Sequence, residues 1–329
     1  FIKKKKVVIF LFTLITIFDL FYFFQKFNPF VPRELIFPEA KIFTYLAENA
    51  GINRFWGYGT ASVEANFTTQ DKLFSPDGYD PLYPKRYGEF IQSSKDGKIQ
   101  KEFTNQTRSD AVITSGFGEN DLPANPYRLR ILDLLGIKYI LDRVENGSTE
   151  KTFPKERFKL IYEQNGWRVF ENLKALPRAF LASEYQVFRN SQEFEKLFFN
   201  HEFNPSKKIL LEEELKDISL DFDREGQVKT ISYESNKIIF DVKTDKNQLL
   251  FLSDNYYPGW KAFVDGVETK IYRADYTFRA IVVPAGQHQV LFQYAPKSFS
   301  LGGKISIISL IGLLIVAFLI TIIRPDDEK

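Results

Sequence analysis

Two long apolar runs, one near each end, constrain this chain more than anything between them. Val7 to Phe24 is a run of 18 residues interrupted by Thr13, Thr16, Asp19 and Tyr22, and as a helix it reaches about 27 Å. Ile305 to Ile323 is a run of 19 residues without a charge, reaching about 28 Å. Either length crosses a bilayer core. Lys3 to Lys6 precede the first run and Arg324 follows the second, so the Lys/Arg rule predicts both ends on the cytoplasmic side and residues 25–304 outside. A cleaved signal peptide is the rival reading of the first run. Its apolar stretch is longer than the usual signal core, and no A-x-A site follows before Gln25. Asp19 places a lone carboxylate in the outer half of that run, where it is expected to reach towards the interface or to face other helices of a larger bundle.

The charge balance removes one class of partner. Of 329 residues, 44 are Lys or Arg and 42 Asp or Glu, a net +2, so no nucleic acid is expected to be held by overall charge. There is no Cys and there are two His, His201 and His288. Disulfides, thiolate chemistry and a Cys- or His-rich metal centre are thereby excluded, and no metal site is predicted. A carboxylate-only site stays open. The unused oxidising compartment leans towards a bacterial cell surface. The chain starts at Phe1 and contains no Met, which reads as a piece of a longer gene product.

Between the anchors the pattern changes once. From Pro38 to Ala50 a helix is expected, with Ile42, Phe43 and Leu46 at helical spacing and Gly51 as its stop. Leu129 to Leu135 repeats the device, and Gly136 leads directly into the strand-like Ile137 to Leu141. Phe158 to Asn172 reads as a hairpin about Asn165-Gly166. After Leu176-Pro177 the texture is that of strands: Ile238, Phe240 and Val242 alternate with Ile239, Asp241 and Lys243, Leu249 to Leu252 is an apolar run, and Val290, Phe292 and Tyr294 alternate with polar residues. Asp265-Gly266 marks a second hairpin, between Trp260–Val264 and Val267–Arg273. The expected fold is membrane-anchored α+β. A transmembrane helix occupies 1–24, a mixed α/β region 25–176, an antiparallel β-sandwich 177–303, and a second transmembrane helix with a short tail 304–329.

Motif searches are mostly negative. Gly57-Tyr58-Gly59 and Gly116-Phe117-Gly118 lack the third glycine of a dinucleotide site, and there is neither a P-loop nor a G-x-S-x-G elbow. Two segments stand out. In Gly78 to Tyr87, Tyr79, Asp80, Tyr83 and Arg86 combine rigid aromatic faces with polar anchors, a composition suited to meeting a substrate; a packed loop is the plain alternative. In Asn255 to Gly266, Tyr256, Tyr257 and Trp260 have either a structural or a glycan-stacking role. Trp260 is expected chiefly to cover one end of the sandwich core.

The segment Asn255-Tyr256-Tyr257-Pro258-Gly259-Trp260-Lys261-Ala262-Phe263-Val264-Asp265-Gly266, with Tyr272-Arg273-Ala274, Phe278-Arg279, Val283-Pro284-Ala285-Gly286 and the final helix, resembles the C-terminal end of the bacterial YfhO family of polytopic membrane proteins. Upstream, Tyr79 to Tyr87, Asp133 to Tyr139 and Leu176 to Phe180 look like further blocks of that family in the same order. The resemblance implies a GT-C-like glycosyltransferase of the bacterial cytoplasmic membrane. Its many-helix core would take sugar from a polyprenyl-phosphate donor for a cell-surface polymer of the teichoic-acid type, with an acidic loop near the start of the protein supplying the base. This sequence departs from the pattern, having two membrane helices and no such loop. No catalytic residue carries over, and Asp80 does not match the acidic loop. The fragment alone is therefore expected to be inert and to need no cofactor of its own, its partners being the bilayer, the missing N-terminal helices and a surface glycan. A non-catalytic glycan-binding or structural membrane module is the alternative.

Overall fold

The computed structural model describes residues 2–27, 32, 40–64, 66–78, 82–100, 111–114, 116, 118, 121–215 and 226–323. Tyr79, Asp80, Pro38, Phe117 and Arg324, all weighed above, lie outside them. The chain divides into two units, Phe1–Leu46 and Ala47–Lys329.

In the first unit, helix α1 (Ile2–Phe27) contains a candidate span of 23 residues, Lys5–Phe27. It is uncovered: Phe18 is 71% exposed and Phe12 68%. In water such a surface would aggregate, whereas lipid satisfies it. The interrupting hydroxyls do not break the helix, because Thr13 and Thr16 donate to the carbonyls of Ile9 and Phe12 at 3.0 and 2.9 Å, which pairs both hydroxyl hydrogens within an apolar medium. Lys26 closes the run by donating to the Tyr22 hydroxyl at 2.7 Å, its stem free to reach the interface. Helix α2 (Lys41–Asn49) begins in this unit and buries Ile42 and Leu46, as the spacing predicts.

The second unit starts with a four-stranded sheet. Its order is β1 (Arg54–Gly57), β2 (Ile137–Arg143), β4 (Trp167–Asn172), β3 (Phe158–Gln164), with β1 and β2 parallel and the rest antiparallel. The crossover from β1 to β2 carries helices α3 (Lys85–Gln92), α4 (Asp121–Ala124) and α5 (Pro126–Leu134). Helix α5 begins three residues before the expected Leu129. Asn125 caps it by accepting the Arg128 N–H at 2.9 Å, and Pro126 takes the first position, where no amide hydrogen is needed. The β3–β4 hairpin turns on Asn165 and Gly166 at φ 51° and 76°, the pair of left-handed residues that a type I′ turn demands.

Two further sheets follow. One has six strands, in the order β5 (Ala179–Ala182), β10 (Gln248–Asn255), β14 (Phe278–Val283), β13 (Tyr272–Ala274), β7 (Lys208–Leu211) and β6 (Glu184–Val187). Helix α6 (Ser191–Phe198) joins β6 to β7 as a parallel crossover. The other has five strands, β12 (Val267–Thr269), β11 (Trp260–Val264), β15 (Gly286–Tyr294), β9 (Lys237–Thr244) and β8 (Gln227–Tyr233). The two face each other across Leu250, Leu252, Ile281 and Val283 on one side and Ile238, Phe240, Val242, Val290 and Phe292 on the other. This is the sandwich that the alternation predicts.

The six-stranded sheet has a second buried face. Leu249 and Phe251 of β10 point away from the sandwich and join a cluster with Trp56, Phe90, Ile131, Phe194 and Phe278. The unbroken apolar run Leu249 to Leu252 therefore serves two cores with alternate residues, each full burial contributing about 1.5–3 kcal/mol. Residues on both sides of position 176 belong to that one cluster. One strand departs from expectation. The arm Val267–Arg273, read above as continuous, changes sheets between β12 and β13, so Tyr272 and Ala274 pack in the six-stranded sheet. The last element, α7 (Lys297–Ile323), holds the second candidate span, Lys297–Leu319, uncovered like the first.

Candidate functional site

The site grows from the end of β10. Register between β10 and β14 shifts between Leu252 and Asn255, a bulge that takes Ser253 and Asp254 out of regular pairing and re-aims them. Four side chains from distant strands then converge on the Asp254 carboxylate. Arg54, at the start of β1, donates from Nη2 to Oδ1 at 3.1 Å; Arg178, just before β5, donates to the same oxygen at 2.7 Å; Arg279 on β14 donates to Oδ2 at 3.2 Å. Tyr233, at the end of β8, gives Oδ2 its hydroxyl hydrogen and accepts from Arg178. Burial alone would raise the Asp254 carboxyl, but Arg178, Arg279 and Arg54 together hold it well below the usual carboxylate range.

The arginines are fixed by more than this carboxylate. Arg54 also donates to the carbonyls of Leu135 and Ser253, at 2.6 and 2.8 Å, and to the Ser253 hydroxyl at 3.0 Å. Arg178 reaches the Ile52 carbonyl at 3.1 Å and stacks over Phe74 and Tyr233. The Arg279 guanidinium lies 4.0 Å from the Trp260 ring centre, a cation–π contact. Three cations thus share one anion in a water-poor place.

Beside the cluster opens a cleft of about 700 Å³, lined among others by Arg54, Asp77, Tyr83, Tyr257, Trp260 and Arg279. That volume falls within the ordinary range for small-ligand sites. The two segments singled out from the sequence meet here. Tyr83 comes from the loop before α3, and its ring sits where a Cβ on Gly88 would stand, 2.4 Å from the nearest ring carbon; glycine at that position gives the tyrosine its seat. Tyr257 and Trp260 come from the turn after β10 and the start of β11. Trp260 is half-buried, packing against the sandwich core and, at 5.4 Å between ring centres, against Tyr294. It packs against the core and lines the cleft at the same time.

The other sequence candidates stand apart. Tyr256 lies under Arg273, 4.6 Å from the guanidinium, in a neighbouring recess of about 230 Å³. Arg86 is held by Glu212 and donates to the Tyr276 carbonyl at 3.2 Å, so its charge is engaged in tying α3 to the strands. Asp77 was not anticipated. Its Oδ1 accepts the Ile113 N–H at 2.7 Å, and burial pushes its carboxyl up to about 7. Arg54 and Asp254 were missed too. Arg178 and Arg279 stood in the blocks quoted for the resemblance, but nothing in the linear sequence joins them. No group of three His, Asp or Glu placed to hold a metal occurs among the described residues.

Comparison with known proteins bears on the strands that build this site. Residues 213–306 match the family model described as bacterial membrane protein YfhO. An uncharacterized protein YfhO of Bacillus subtilis (strain 168) is 30% identical over 97 residues, 30% of this chain. The aligned stretch covers 11% of that relative's length. No solved structure matches. The upstream blocks, Tyr79 to Tyr87 among them, lie outside the residues matched by the family model. The segment that carries Asp254, Trp260, Arg279 and the start of α7 is thus similar to the YfhO family of bacterial membrane proteins.

Proposed function

We propose that this chain is the extracytoplasmic C-terminal part of a membrane glycosyltransferase, and that its cleft receives the acceptor, a cell-surface glycan polymer. One observation carries the reading: Tyr83, Tyr257 and Trp260, from segments far apart in sequence, line one cleft together. Rigid amphipathic rings beside hydrogen-bonding groups suit a sugar, whose faces are apolar and whose edges are polar. The sugar would come from a polyprenyl-phosphate donor handled elsewhere in the full-length protein. Lys5 and Lys6 at the start of α1 support a cytoplasmic N-terminus and an outer position for the sheets.

The test belongs in the full-length protein. Tyr83→Ala with Tyr257→Ala, at unchanged abundance and folding, should lower transfer of labelled sugar to surface polymer at least tenfold. Unaltered transfer would overturn the acceptor assignment. Transfer by residues 1–329 alone would overturn the placement of the chemistry outside them. Among the described residues Asp254 is the one other acid beside Asp77 at the cleft, and it is consumed by the arginines. That favours, as a second reading, a module that binds glycan without catalysis; wild-type binding with no transfer by the full-length protein would select it.

A further inference from the structure

The cleft adjoins the point where the chain enters its last helix. Trp260 on β11 pairs in register with Tyr294 at the end of β15, and Ala295 donates its N–H to the Gly259 carbonyl at 2.8 Å. A Cβ on Gly259 would stand 3.0 Å from the Pro296 Cβ and from the Tyr294 ring. The turn before β11 is therefore packed on the segment that leads into α7 at Lys297. That turn is stiff. The Trp260 N–H reaches the Tyr257 carbonyl at 3.4 Å, Pro258 fixes the second position, and Gly259 takes the third at φ 104°.

Helix α7 sets the depth of this turn. Its charge-free stretch, 305–323, matches the hydrocarbon core, so residues 297–304 cross the interfacial layer. Upright, those residues rise about 12 Å, whereas the headgroup region of one leaflet is about 5–8 Å thick. Phe299 and Leu301 lie in the same stretch and are exposed, Phe299 by 83%, an apolar surface that lipid satisfies and water does not. Their immersion draws the first turn of α7 into the layer. Phe299 is only about 4.5 Å along the helix from Pro296, which leaves Gly259 and its neighbours level with the headgroups.

The side chains at this end suit that level. Tyr257 is 51% exposed, and Tyr256 and Tyr294 are partly so. Leu82, which lines the same cleft as Tyr257, Asn236 and Tyr294, is 89% exposed. Tyr and Trp favour the membrane–water interface because one end of each ring is apolar and the other polar. Lys297 and Lys304 can lay their stems on apolar surface while their ammonium groups stay among the headgroups.

We propose that the turn at 256–259 and Leu82 rest on the lipid headgroup layer of the leaflet that α7 enters, so that the cleft opens along the membrane surface. A ligand of the cleft then approaches in the plane of the bilayer rather than from bulk water. This contact holds whatever the cleft binds, and so stands apart from the acceptor reading above.

The chain has no Cys, so single cysteines report without background. Residues 1–329 carrying Tyr257→Cys, Leu82→Cys or Val267→Cys are labelled with an NBD fluorophore and reconstituted into phosphatidylcholine–phosphatidylglycerol vesicles, with and without a lipid that bears a nitroxide on its headgroup. Val267 is the reference, 72% exposed past the hairpin turn at the far end of β11. Quenching at positions 257 and 82 should exceed that at 267 about threefold or more, as expected of interfacial residues. Pro258→Cys and Asn236→Cys, both at exposed positions, replace the first two should either fail to fold. Quenching at either position no greater than at 267 would overturn the contact. So would a probe at position 257 that is shielded from water, ignores the nitroxide lipid and responds to protein density, the signature of a second copy on this face.

Discussion

Replacing Asp254 by Asn probes the arginine cluster most directly. Asparagine keeps an oxygen for Arg54 and Arg178 but turns the other acceptor, which serves Arg279 and Tyr233, into a donor. Three guanidiniums then lie together with no anion. Hydrogen bonds to charged groups contribute about 1.5–3 kcal/mol each, and breaking a buried pair from one side costs about 3–5 kcal/mol because the remaining charge is stranded. These terms overlap, so the expected loss is about 3–5 kcal/mol in total. Urea denaturation of the detergent-solubilised chain, followed by tryptophan fluorescence, measures it. The pH dependence has a definite sign. The native Asp254 carboxyl is held below its unfolded value, so its contribution is fully present above about pH 4 and is lost as pH falls through the native value. The gap between wild type and variant should therefore stay constant from pH 8 to 5 and narrow only in stronger acid. Adding Arg279→Gln to the variant removes one stranded cation and should restore at least about 1 kcal/mol. A single-variant loss under about 1 kcal/mol, or a double variant no more stable than the single one, would refute the account of three guanidiniums held by the Asp254 carboxylate.

Trp260→Ala should cost about 2–3 kcal/mol, less than the roughly 3–5 expected of a fully buried aromatic, because the half-buried ring loses chiefly its contacts with Arg279 and Tyr294; the same urea titration checks it. Asp275 is fully buried, and burial pushes its carboxyl up to about 8 against one hydrogen bond from the Leu210 N–H. The native state then holds a proton that the unfolded chain releases near pH 4, so wild-type stability falls as pH rises from about 4 to about 8. Asp275→Asn should flatten that decline and be the more stable protein at pH 8, the left-handed φ of 40° suiting asparagine; melts at pH 5 and 8 decide. For topology, Lys151→Cys should react with a membrane-impermeant maleimide in intact cells, and Lys329→Cys only after permeabilisation.

Much of the architecture was legible because its causes are local. Apolar runs long enough to cross a bilayer need no partner segment to be recognised, and Asn165-Gly166 and Asp265-Gly266 set their turns through backbone angles that few other residues adopt. The alternation along β9 and β15 likewise reports which residues face a core. What the tertiary structure alone decided is where those faces go. Leu249 to Leu252 reads as an apolar run, but only the packing of a second core on the far face of the sheet explains why no residue in it is polar. Val267 to Arg273 looks like one strand, and the sandwich divides it because Tyr272 and Ala274 find their partners in the opposite sheet. Arg54, Arg178, Asp254 and Arg279 sit on four separate strands or their edges, and no spacing rule links them. Their attraction to one another is strong only once three sheets have excluded water around the bulge at Ser253-Asp254. Periodicity and turn chemistry act over a few residues, whereas a charge cluster and a cleft exist only when distant segments are brought together by the cores beneath them.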